Sequence, residues 1–170
     1  MKKYVALLSF LILTSVTIFA QSIDVKVVVA PVGANITMNS YVWDIAFAND
    51  GTTSYQNDQQ GILTVKSGSS KNFHVYFSSD NLGYVKQGAY QIPYYVKVTQ
   101  LTTGNIGIVG SPSIMAGYVQ LTNTQSIQFN KRTPRAGIQF YVGIKINSTS
   151  GEFFESGAYT DNLIINFVAP

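Results

Sequence analysis

The chain has 170 residues, of which 46% are hydrophobic and only 11% charged. One domain of that size buries a core without staples, and so apolar a composition excludes a disordered chain. No cysteine is present, which excludes disulfides, thiol catalysis and cysteine-based metal sites.

Lys2 and Lys3 open the chain, an apolar run follows over residues 4–19, and Ala20 closes it with a small side chain before Gln21 and Ser22. This is the layout of a secretory signal peptide over residues 1–20, cleaved after Ala20. The run is short for a membrane span, and Thr14 and Ser15 interrupt it. The working domain is therefore expected at 21–170, exported to the periplasm, the cell surface or the extracellular space. Cleavage takes two lysines from the 11 Lys and Arg, leaving nine against 8 Asp and Glu. A nearly neutral chain has no basic surface for nucleic acid. No membrane span is expected after cleavage.

In chain order, apolar residues fall at every second position, as half-buried strands require. Ile23, Val25, Val27 and Val29 share one face, with Asp24 and Lys26 on the other. Pro31 and Gly33 end that run. Tyr41, Trp43, Ile45 and Phe47 form the second face, opposite Asp44. Leu63 and Val65 mark a short strand, and Phe73, Val75 and Phe77 the next, with His74 and Tyr76 turned away. Ile92, Tyr94, Val96 and Val98 follow, backed by Tyr95 and Lys97. Ile127 and Phe129 lie in another short run. Ile138, Phe140, Val142, Ile144 and Ile146 make the longest face, backed by Tyr141 and Lys145, and Leu163, Ile165 and Phe167 close the chain. Turn-forming residues separate the runs at 49–51, 67–70, 80–83, 103–105 and 148–151. No helical periodicity of ten residues intervenes. The expected fold is all-β, an antiparallel β-sandwich or barrel.

Few residues point to chemistry, and neither an enzyme, a cofactor nor a metal is expected. His74 is the one histidine, and no Gly-x-Ser-x-Gly elbow accompanies it. Glu152 and Glu155 flank two phenylalanines in a late loop, with no second polar cluster to support acid–base work. Asp50, Asp58, Asp80 and Asn81 are scattered over loops without a calcium-binding run. Trp43 belongs by its alternation to the core. Tyr76, Tyr95 and Tyr141 are the candidates for an exposed aromatic surface. Lys131, Arg132 and Arg135 form the one basic cluster, in a loop between strands.

The closing segment carries Gly157, Tyr159 and Asp161 at alternate positions, leading into Leu163, Ile165 and Phe167. Upstream stand Gly61-Ile62-Leu63-Thr64-Val65 and Gly88-Ala89-Tyr90-Gln91-Ile92-Pro93-Tyr94-Tyr95-Val96. Together with the 137–146 strand, these segments resemble spore coat protein U domains and archaic chaperone–usher pilins. The early-strand cysteines common in that family are absent, as in a divergent branch that relies on packing. The resemblance implies an immunoglobulin-like antiparallel β-sandwich lacking one strand. A periplasmic chaperone, and then another copy or a related subunit, supplies that strand by strand addition.

Ile23, Val25, Val27 and Val29 form the candidate donor within residues 23–30, and Leu163, Ile165 and Phe167 the candidate groove. Residues 23–30 equally suit strand one of a complete sandwich. The expected function is an exported structural subunit of a surface fibre or coat. The alternative is a secreted monomeric β-sandwich that binds carbohydrate or protein. On the donor hypothesis, Val27→Asp abolishes assembly and leaves the sandwich folded.

Overall fold

The computed structural model describes residues 20–29, 35–48, 54–68, 70–147 and 154–170. The expected signal peptide before Ala20, the breakers Pro31 and Gly33, the turns at 49–51 and 148–151, Asp50 and Glu152 lie outside the described residues.

Ten strands and one helical turn make up the rest. The strands are β1 (Ala20–Val29), β2 (Ile36–Met38), β3 (Val42–Ala48), β4 (Ser54–Val65), β5 (Phe73–Ser79), β6 (Tyr84–Gln87) and β7 (Tyr90–Gln100), then β8 (Gln125–Phe129), β9 (Ile138–Asn147) and β10 (Ala158–Val168). The turn α1 (Ser113–Ala116) lies between β7 and β8. The expectation of an all-β chain holds. The strands form one curled, mixed sheet whose hydrogen-bonded neighbours run β2-β4-β9-β7-β6-β10-β1-β3, with β5 joined to β10 and β8 to β5.

Alternation explains which side chains are inside. Along β5 and β10 every second residue is buried, including Phe73, Val75, Phe77, Leu163, Ile165 and Phe167. β7 and β9 contribute Tyr94, Val96, Val98, Phe140, Val142, Ile144 and Ile146 to the same core. Phe73 stacks on Phe129 at 4.4 Å between ring centroids, and Phe129 meets Phe140 edge-on at 6.1 Å. That contact joins strands that share no ladder, so the sheet curls over a single apolar interior. Trp43 is 2% exposed, in the core as its pattern requires.

Pro93 marks the corner of the curl. Residues 90–93 of β7 pair with β6, and residues 94–100 pair with β9. Proline has no amide hydrogen to give a ladder, so it suits the place where a strand changes partners.

Three features depart from the sequence expectations. β1 pairs with β10 in parallel, whereas every other strand pairing among the described residues is antiparallel. Short turns dictate antiparallel neighbours only for strands adjacent in sequence; β1 and β10 are joined through the whole domain. β4 begins at Ser54, well before the Leu63–Val65 alternation, because a bulge between Asn57 and Gly61 shifts its register against β9. Tyr41 lies just outside β3 and is 48% exposed, so it does not share the inner face with Trp43.

Candidate functional site

Nothing holds the first strand at an edge. β1 lies between β10 and β3, in register Val27↔Leu163 and Val28↔Ile164 on one flank and Ile23↔Ile45 and Val25↔Trp43 on the other. Ile23 and Val25 are 0% exposed and Val27 2%. Burying three such side chains stabilises the seat by about 5–8 kcal/mol of transfer free energy. Val29 pairs through its backbone with Ile165, and its side chain lies outside those described. The candidate donor and the candidate groove are thus brought together within one chain. Leu163, Ile165 and Phe167 lie on the buried face of the strand alongside.

The Gly157, Tyr159 and Asp161 motif builds the wall of this groove. Gly157 has φ +150°, and a Cβ there would land on the side-chain amide of Gln87. The positive φ is what favours glycine here, since the Gln87 side-chain end could move aside. Tyr159 is fully buried opposite Ile23, and its hydroxyl donates to the carbonyl of Glu155 at 2.7 Å. This folds the strand's approach back on itself, as a tyrosine corner does. Burial pushes the Tyr159 phenol above its usual range, with the Glu155 charge adding to it.

Asp161 is 4% exposed and opposite Val25. One carboxylate oxygen accepts from Ser79 Oγ and from the Tyr94 hydroxyl, both at 2.6 Å. The other accepts the Asn81 amide at 3.0 Å. Ser79 Oγ in turn accepts the Gly83 amide at 2.7 Å. A buried carboxylate therefore fixes the turn between β5 and β6, where Leu82 has φ 56° and Gly83 φ 79°. Burial first, and then the Asp161 charge, raise the Tyr94 phenol far above its ordinary range. Ser79 is spent on this turn, and the one histidine, His74, stacks on Tyr76 at 5.6 Å. The network is an anchor for β10 rather than a nucleophile–base pair.

Outside the core, β1 and β10 border a concavity of about 490 Å³ whose lining includes Asp24, Lys26, Val42, Asp80 and Asn162. No group of three or more acidic or histidine side chains able to hold a metal occurs among the described residues. Asp80 accepts from Asn162 at 2.7 Å, and Asp58 lies in the β4 bulge, where it accepts from Tyr118 at 2.6 Å. The Tyr118 and Gln56 donors hold the Asp58 carboxyl below the usual range.

The three candidate surface tyrosines do not form one patch. Tyr76 lies on β5 opposite Asn166 of β10. Tyr95 and Tyr141 lie on β7 and β9, on the other arm of the curl, with Lys97 between them opposite Gly143. Tyr118 joins this second group, with Lys97 Nζ 5.8 Å from its ring centroid. The loop of Lys131, Arg132 and Arg135 is exposed and tied to the end of β4 by reciprocal Ser67–Thr133 bonds of 3.0 Å.

Sequence patterns missed the anchor formed by Ser79, Tyr94 and Asp161. Its signal was a charged residue at an inward position of an alternating strand. They also missed the cross-strand meeting of Asp24 and Asp44, which depends on register. No protein-family model matches the chain, and no curated protein matches it.

Two outcomes follow for stability. Asp161→Ala strands two buried hydroxyls and an amide and is expected to cost about 3 kcal/mol or more in urea unfolding, against about 1–2 kcal/mol for Tyr94→Phe. Val27→Asp puts a charge into this chain's own core, so circular dichroism should show loss of fold together with any loss of assembly.

Proposed function

We propose that the mature chain is an exported structural subunit of a surface fibre or coat, assembled by β-strand complementation. In this proposal the curled sheet is an immunoglobulin-like sandwich related to spore coat U domains and archaic pilins. The donor segment, residues 23–30 of one copy, takes the corresponding place of β1 in another. The partners are other copies or related subunits, with a periplasmic chaperone guarding the groove before assembly.

One observation supports the proposal: the first strand among the described residues sits between β10, the last strand, and the edge strand β3. A terminal strand leaves its seat without unthreading any other. The contacts it makes in its own chain are the contacts it would make in a second copy, so concentration decides between them. Vacating the seat bares the edges of β10 and β3 and an apolar groove, which demands a replacement strand. Repeated head to tail, the same exchange gives a filament.

A second function has its own support. Tyr95, Tyr118 and Tyr141 with Lys97 form an aromatic and basic surface of the kind that binds sugar or protein. A chain using only that surface would work as a monomer.

Val28 and Ile164 are paired neighbours on β1 and β10, and neither is buried. Because the chain has no native cysteine, the double variant Val28→Cys/Ile164→Cys ties β1 to its own chain when oxidised. The oxidised form is expected to stay monomeric in sedimentation and the reduced form to assemble. Equal assembly of both forms would overturn strand exchange.

A further inference from the structure

The outer side of the seated strand carries an arrangement that strand exchange alone does not require. Asp24 of β1 stands directly opposite Asp44 of β3. Opposed like charges on neighbouring strands weaken the pairing. One oxygen of Asp24, Oδ1, is shut off from solvent and has no hydrogen-bond partner among protein donors.

The surroundings leave that pair without relief. On the β10 flank Asp24 faces uncharged Thr160, and Lys86 of β6 lies one strand further on, opposite Thr160. Lys26, two residues along β1, faces Val42 and Asn162. The remaining carboxylates of the concavity, Asp80 and Asp161, have their own donors in Asn162 and in Ser79, Tyr94 and the Asn81 amide. Only Asp24 and Asp44 have each other.

We propose that the Asp24–Asp44 pair is a proton-operated latch: one proton shared between the two carboxyls fastens β1 to β3, and its loss loosens the strand. The bond to Asp44, then partial burial, then repulsion from Asp44 hold the Asp24 carboxyl above its ordinary 3.8. The folded chain therefore holds this proton more tightly than the unfolded chain. The stabilisation is complete below about 3.8 and is lost as pH rises through the folded value, so the seat weakens from acid towards neutral pH. Resting on the strand-exchange proposal, the latch makes assembly a neutral-pH event and keeps β1 at home in acid.

The test is the thermal midpoint of the full mature chain between about pH 4 and pH 7, for the natural sequence, Asp44→Asn and Asp24→Asn. Each asparagine removes the repulsion and donates to the remaining carboxyl at every pH. Relative to pH 4, the natural chain is expected to lose about 2–4 °C more than either variant by pH 7. Amides of β1 should also exchange hydrogen faster in the natural chain at pH 7, after correction for intrinsic rates. Superimposable profiles for all three chains would overturn the latch, whatever the assembly behaviour. Divergent profiles in chains that never assemble would support the latch and count against strand exchange. Divergent profiles with slower assembly of Asp44→Asn at pH 7 would support both.

Discussion

The parallel seating of the first strand against the last is the contact on which the rest of this molecule depends. β1 supplies both the ladder between β10 and β3 and the buried side chains Ile23, Val25 and Val27. It also joins the two ends of the chain, so its contacts have the largest sequence separation in the domain. Such contacts form late, because closing a long loop costs entropy before the contact repays it. On the strand-exchange proposal, the strand that makes this long-range contact is also the one whose place another copy would take. The features that stabilise the single chain and those that would drive assembly are in this way the same features.

The groove that receives the strand is itself built by the closing motif. Gly157 supplies a backbone turn at φ +150°, Tyr159 folds the chain back through its bond to Glu155, and Asp161 fastens β10 to the β5–β6 turn. A buried carboxylate with three donors is costly to break and gives little over a hydrophobic substitute. Its use here is positional: it sets where Leu163 and Ile165 lie relative to β1.

Period-two alternation was enough to find β1, β3, β5, β7, β9 and β10 and the residues they bury, because each has one face in the core. β2 and β6 have three and four residues, too few to show a period. The first half of β4 is polar and half-exposed and carries a bulge, so its pairing with β9 leaves no apolar pattern. The helical turn at Ser113–Ala116 is also below the length at which periodicity speaks. For the candidate site, alternation identified the inner faces of donor and groove. It did not separate a strand seated in its own chain from one donated to another, since both need the same face. Alternation likewise placed Tyr76 with Tyr95 and Tyr141 only because strand partners are not written in any one strand. The Asp24–Asp44 meeting is a fact of register for the same reason.

The central claim is that β1 moves between copies, and a mixing experiment tests it most directly. Chains carrying only Val28→Cys are mixed with chains carrying only Ile164→Cys, allowed to assemble, and oxidised. If β1 of one copy lies beside β10 of another, a disulfide-linked pair of the two different chains should form, at a yield rising with assembly. If no mixed pair forms while the double variant still closes its bridge within one chain, β1 belongs permanently to its own sheet and strand exchange is contradicted.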